Sequence, residues 1–416
     1  MADIAGLTYY EVDFAADGTL RADGGLPDAI AAGGVTDLFV LSHGWNNSVG
    51  SARSLYDSMF SLLAPMLGDK LPTCAAVGII WPSLLFPEDD PAHPPATPSS
   101  GAELATALAP AFPGNEDNLT TLGTLLDKQP ADPASLQQFH QLASGLVTTP
   151  VLAPEDAGPA AAITAETGAV FGHAAAMTKS PVGNAQGLPN PFKTLWSGAR
   201  EVLRGMSYYE MKNRAGVVGR DGLGPMLARL SSSAPGLRIH LMGHSFGARL
   251  VSYALVGLPA TATGGASPVK SLTLIQGAFS HFAFARPTPC KAVAAGALSG
   301  VVDRVDGPLL STFSAADRAV GWWYPAASML AHQNAEAMAD LTYEWGGMGH
   351  DGFQQSPAAN RIELKPQGSA YGFATNGIYL LDANKVIAQN QSPFIGAHCD
   401  ICHPEVAWAA VSAAAL

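Results

Sequence analysis

Thirteen residues constrain the fold more than any others: Leu237-Arg-Ile-His-Leu-Met-Gly-His-Ser-Phe-Gly-Ala-Arg249. An apolar run, Ile239 to Met242, leads into Gly243-His244-Ser245-Phe246-Gly247. Helical spacing follows from Ala248 to Leu255. Strand, sharp turn and helix, with Ser245 at the apex and a glycine two places to either side, make a nucleophile elbow. Its strand packs tightly against its helix, so a Cβ at Gly243 or Gly247 is expected to collide. Ser245 is thereby raised above the sheet edge at a helix N-terminus, where partial positive charge favours an oxyanion. Pattern and context together predict an α/β chain with a reactive serine.

Composition narrows the classes of function. The chain has 416 residues, is 48% hydrophobic and 13% charged, and carries a net charge of −12. Such a chain buries a large core in one α/β domain with insertions, or in two domains. The acidic balance argues against nucleic acid and anionic membrane surfaces as partners. Four cysteines (Cys74, Cys290, Cys399, Cys402) are too few for a disulfide scaffold in a chain this long. No basic segment followed by an apolar one opens the sequence, and no apolar run reaches the roughly 18 residues of a membrane span. The expectation is a cytoplasmic protein with no integral membrane association.

In order along the chain, Leu7 to Phe14 alternates and predicts a first strand at the sheet edge. A short helix is expected over Pro27 to Ala32. Thr36 to Ser42 is an unbroken apolar run, as in a central parallel strand. It leads into His43-Gly44-Trp45-Asn46-Asn47-Ser48. A helix over Ser51 to Leu67 and a buried strand over Ala75 to Trp81 follow. Between 84 and 200 the composition turns Pro-rich and acidic, with eleven acidic residues against four basic. Short helices fit Ala102–Ala111, Asn118–Leu126, Ala134–Val147 and Ala160–Ala176. Helices are expected again over Thr194–Tyr209 and Arg214–Leu230. Beyond the elbow, strands fit Ser271–Gln276, Pro308–Phe313 and Gly377–Leu381, with a helix at Ala326–Ala339. The last strand reads as a hairpin into Lys385–Ala388, and Pro404 to Leu416 as a final helix. Alternating strands and helices imply a doubly wound, mostly parallel sheet. The expected organisation is a core of 1–83 and 200–416, with 84–199 inserted as a helical cap.

A serine at its free pKa is a poor nucleophile and needs a general base oriented by an acid. With an elbow of this kind the partners follow the serine in the order acid, then His. Asp317 lies just past the strand ending at Phe313, where ligands collect in open α/β sheets. Asp303 and Asp306 precede that strand, Asp382 suits a turn, and Asp400 suits a helix cap. For the base, His398 precedes the last helix and is best placed to reach back over the elbow. His350 and His403 remain alternatives, and His332 falls within a helical stretch. The oxyanion needs two preorganised N–H donors. Phe246 supplies one, and Trp45 is expected to supply the other, with Gly44 allowing close approach and His43 bracing the loop. Cys399-Asp-Ile-Cys402 lacks the further ligands that zinc would want, so both cysteines are read as small packing residues. No metal and no cofactor are expected.

The chain resembles the α/β-hydrolase superfamily, specifically its serine esterase/lipase-like bacterial members. His43-Gly-Trp-Asn-Asn47, Gly243-His-Ser-Phe-Gly247, and Asp317 followed by His398 carry the resemblance, and Trp81-Pro82-Ser83 fits it too. It covers 1–83 and 200–416; the inserted stretch lies outside it. The resemblance implies an α/β-hydrolase fold, a Ser245–His398–Asp317 triad and an acyl-enzyme. It also implies a small-molecule or lipid-like carboxylic ester as substrate. A peptidase, amidase or thioesterase, or a binding protein on the same scaffold, are the alternatives.

Overall fold

A computed structural model describes residues 2–83, 86–87, 99–156, 160–178, 191–259, 267–289, 294–320, 343, 345–354, 359–391 and 395–415. The expected helix at Ala326–Ala339 and His332 lie outside these residues.

The strands are β1 (Ala2–Ile4), β2 (Leu7–Phe14), β3 (Leu20–Ala22), β4 (Asp37–Ser42), β5 (Cys74–Ile80), β6 (Arg238–His244), β7 (Val269–Ile275), β8 (Leu309–Phe313), β9 (Ala359–Glu363) and β10 (Ile378–Asp382). They form one sheet in the order β1-β2-β5-β4-β6-β7-β8-β10-β9, with β3 beside β2. Every pair from β2 through to β9 is parallel; only β1 and β3 run antiparallel, both to β2. The expected α/β class with a mostly parallel sheet is observed.

The order of the strands locates a crevice. From β4 the chain moves to β5 on one side, then crosses back to β6 on the other. The carboxyl ends of β4 and β6 therefore flank a topological switch point, where open α/β sheets bind ligands.

The helices are α1 (Leu26–Ala31), α2 (Val49–Leu63), α3 (Gly101–Leu108), α4 (Glu116–Lys128), α5 (Pro133–Ser144), α6 (Ala160–Thr164), α7 (Thr167–Thr178), α8 (Pro191–Ser197), α9 (Ala199–Val217), α10 (Gly224–Ser233), α11 (Phe246–Gly257), α12 (Met348–Asp351) and α13 (Pro404–Ala414). Strand side chains alternate between two apolar layers, as the period of two requires. Phe39, Leu41, Ala76 and Met242 face Tyr56 and Phe60 of α2 and Ala407 and Val411 of α13. Leu38, Val40, Val77 and Leu241 face the opposite layer, built from α9, α10 and α11. Leu104, Phe139, Phe171 and Trp196 of the inserted stretch join that same layer. The insertion is thus packed into the main core through α9 rather than standing apart from it.

Three local expectations are corrected. β2 is not the edge strand, because Ala2–Ile4 pairs outside it. The segment after β10 is no hairpin. Asp382 Oδ1 accepts the Asn384 N–H at 3.2 Å, and the Val386 and Ile387 N–H groups both donate to Ala383 O, so the chain coils into turns. β10 instead pairs in parallel with β8 and with β9, whose polar sequence Ala-Asn-Arg-Ile-Glu hid it from pattern reading. Finally, the break expected between Tyr209 and Arg214 is absent: α9 runs through it and joins α10 by a π-helical segment at Val218–Leu223, while Thr194 falls in the separate α8. Close approach to α11 explains the widened turn: a Cβ on Gly219 would lie 2.1 Å from Leu250 O, and one on Gly224 2.5 Å from Ala254 O.

Candidate active site

The elbow assembles as the glycine spacing predicts. Ser245 follows β6 at φ 57° and ψ −122°. For a non-glycine residue that conformation costs on the order of 1–3 kcal/mol and persists only where its surroundings enforce it. They do so here through the Ser245 N–H, which donates to Ile275 O at 3.1 Å, and through Ser245 O, which accepts from Ala278 N at 3.2 Å. The glycines are compulsory on steric grounds. A Cβ on Gly243 would stand 2.3 Å from Gly247 O, and one on Gly247 2.0 Å from Ser42 O.

His398 and Asp317 reach Ser245 from separate loops. His398 Nε2 lies 2.8 Å from Ser245 Oγ, and His398 Nδ1 2.7 Å from Asp317 Oδ2. An ionised carboxylate only accepts, so Nδ1 carries the proton and Nε2 is left to accept from the hydroxyl. Ser245 is 5% exposed, His398 7% and Asp317 0%, so these bonds operate largely out of water. The Asp317 loop follows β8 and bridges to Gly396 in the loop before α13. That bridge brings Asp317 and His398 together.

The other candidates are placed elsewhere. His350 Nδ1 sits 3.3 Å from Asp317 O, on the Asp317 backbone rather than on Ser245. His403 N-caps α13 by position and pairs with Asp400 Oδ1 at 2.8 Å. Asp400 Oδ2 also accepts from the Ala388 and Gln389 N–H groups at 3.0 and 2.7 Å, which pins the preceding loop. Asp306 pairs with Lys270, Asp382 with Arg361, and Asp303 lies in a short 3-10 turn.

The loop after β4 lies against the serine. A Cβ on Gly44 would fall 2.9 Å from Ser245 Oγ. The adjoining Trp45 ring packs 5.2 Å from Tyr208 and 6.4 Å from Phe246, centroid to centroid. Phe246 opens α11, so its N–H is among the first-turn donors that have no acceptor within the helix. His43 is held within this loop by its neighbours. Its ring stacks on Trp81 at 5.4 Å, its Nδ1 lies 2.8 Å from Gly44 O, and the Trp81 indole N–H donates to His43 O at 3.1 Å. Burial pushes the His43 pKa down to about 4, so the brace is neutral. The insertion also reaches this loop: the Phe86 N–H donates to Asn46 Oδ1 at 2.9 Å, and the Phe86 ring meets Trp45 edge-on at 6.3 Å.

Two residues of the site went unread in the sequence. His244 Nε2 donates to His398 O at 2.9 Å, and burial lowers its pKa to about 3. It occupies the variable position of the elbow motif, which alone could have flagged it. Gln276 Nε2 donates to Asp317 Oδ2 at 2.9 Å; its only signal was its place at the end of a strand beside the elbow strand.

Cys399 and Cys402 correct an expectation. Both are exposed free thiols, because their loop turns Ala397, His398 and Ile401 inward and the two cysteines outward. Among the described residues, no group of three or more His, Cys, Asp or Glu is arranged to hold a metal ion. Among the same residues, no helix is long and apolar enough to cross a membrane. No protein-family model, curated protein or solved structure matches this chain.

Proposed function

We propose that this chain is a serine hydrolase of α/β-hydrolase type that cleaves a carboxylic ester through an acyl-enzyme. One observation carries the reading: the unbroken relay from Ser245 Oγ to His398 Nε2 at 2.8 Å, and from His398 Nδ1 to Asp317 at 2.7 Å. In the proposed reaction His398 Nε2 takes the hydroxyl proton as Ser245 Oγ attacks the ester carbonyl. The Phe246 and Trp45 amides hold the resulting oxyanion. His398 then gives its proton to the leaving alkoxide as the C–O bond breaks. Water, deprotonated in turn by His398, attacks the acyl-serine; the acid leaves and Ser245 regains its proton. Asp317 keeps the imidazole in the required tautomer and stabilises its cation.

The aromatic rings around the elbow (Trp45, Phe86, Tyr208 and Phe246) favour an ester with an apolar group over a strongly polar one. Phe86 belongs to the insertion, which supports a role for 84–199 as a cap bounding the site.

A fluorophosphonate probe tests the reading. It is expected to add to Ser245 in the folded protein and to leave S245A unlabelled. p-Nitrophenyl esters should be hydrolysed by the unmodified chain only. A folded, unlabelled and inert protein overturns the proposal.

A further inference from the structure

Gln276 is wholly buried and stands in the left-handed region at φ 47°, directly after β7. Glutamine gains nothing from that backbone conformation, so the surroundings must enforce it. Every polar atom of its side chain is engaged. Oε1 accepts from Thr312 Oγ1 at 2.9 Å, while Nε2 donates to Gly349 O at 2.8 Å and to Asp317 Oδ2 at 2.9 Å. The Gln276 backbone N–H donates to the same Thr312 hydroxyl at 3.0 Å. Thr312 therefore sets which way the amide faces. Its hydroxyl proton claims the carbonyl end, and the NH2 end is turned toward the carboxylate. A Cβ on Gly349 would lie 2.6 Å from the Gln276 carbonyl carbon, so the turn at α12 is clamped onto the residue.

The amide meets the same carboxylate oxygen as the imidazole. Oδ2 of Asp317 takes both His398 Nδ1 and Gln276 Nε2, and Oδ1 takes the Val320 N–H at 3.0 Å. Three donors on one carboxylate fix its rotation as well as its position. Without the amide, the Oδ2 side of the carboxylate would be held by the imidazole alone.

We propose that Gln276 is a positioning residue: its Thr312-oriented amide locks the Asp317 carboxylate at the rotation that His398 requires. The inference rests on the hydrolase reading above for its kinetic consequence, but not for its structural one.

Q276N tests it. Asparagine tolerates the left-handed backbone, yet its amide falls one methylene short of Asp317. The variant is expected to melt cooperatively and to hydrolyse a p-nitrophenyl ester with kcat lowered about 10²-fold and KM nearly unchanged, the size of effect that a misplaced catalytic group produces. The downfield His398 Nδ1 proton in the NMR spectrum, which reports the bond to Asp317 whether or not the protein is an enzyme, should move or broaden. Q276M, of similar length without a donor, should behave alike. A Q276N or Q276M protein with unchanged kcat overturns the proposal while leaving the hydrolase reading in place. An unmoved Nδ1 proton in Q276N also overturns it. An inert unmodified chain sinks the hydrolase reading instead.

Discussion

Gly44 and Ser245 are in such close contact that a Cβ on Gly44 would come within 2.5 Å of the Ser245 Cβ and 2.9 Å of its Oγ. The loop after β4 and the elbow after β6 are thus fitted to one another across the switch point of the sheet. Gly44→Ala must push the two apart and carry the Trp45 peptide away from the serine. Loss of one oxyanion donor costs on the order of 10²–10³ in rate. We expect G44A to lose that much in kcat/KM while keeping its far-ultraviolet circular dichroism. Full activity in G44A would remove Trp45 from the oxyanion site.

The three histidines downstream of Asp317 within the described residues should separate sharply on substitution. His398→Ala removes the only one of them on Ser245 Oγ. Ester hydrolysis should fall to the level of S245A. His350→Ala and His403→Ala should each keep kcat within about tenfold, since one rests on the Asp317 backbone and the other on Asp400. Rates of phosphonate labelling on the three variants give the same ranking without a chosen substrate.

The insertion also meets α11 through buried charge. Asp156 accepts from Arg249 of α11, takes the Ser280 N–H at 2.8 Å, and lies 3.8 Å from the Lys212 ammonium of α9. Arg249, Lys212 and Asp156 are almost wholly buried. Removing one partner of a buried pair leaves uncompensated charge and costs about 3–5 kcal/mol. Asp156→Ala should lose stability of that order in urea unfolding. A loss below about 1 kcal/mol, the worth of an exposed pair, would show that the cluster does not hold the insertion against α9 and α11.

Acid should weaken the fold through two of the site's own histidines. Burial holds His43 near a pKa of about 4 and His244 near about 3, both below the ordinary value of 6.5. In the unfolded chain each takes up a proton as the pH falls through about 6.5; in the folded chain it does not. The unfolded state then binds more protons, and stability drops with falling pH until the folded values are passed. Neither group contributes to the slope above neutrality. His244→Gln retains an N–H for the His398 carbonyl but cannot titrate. Denaturant midpoints between pH 7 and pH 4 should fall less steeply in H244Q than in the parent.

Part of the site could be read from the chain because it follows a recognisable pattern. Gly243 is demanded by contacts within a few residues of Ser245, Gly247 by the backbone of Ser42 and His43, and the loop after β4 follows an unmistakable buried strand. Asp317 and His398 followed from chain order and strand ends. Gln276 and His244 did not, because their roles exist only through partners 41 and 154 residues away. β9 escaped for a related reason: its polar pattern, Ala-Asn-Arg-Ile-Glu, belongs to an edge strand seen only once β10 pairs with it. The apparent hairpin after β10 failed because turn chemistry at Asp382 and Asn384 overrode the apolar residues that follow. The π segment joining α9 to α10 reflects how near Gly219 and Gly224 come to α11, a distance that no local pattern encodes.

Ser245, Asp317 and His398 are separated along the chain by long intervals, 153 residues from serine to histidine and 81 from aspartate to histidine. Neither member of this relay is near Ser245 in sequence, so the three side chains meet only when the loops after β6 and β8 and the loop before α13 are packed on one sheet.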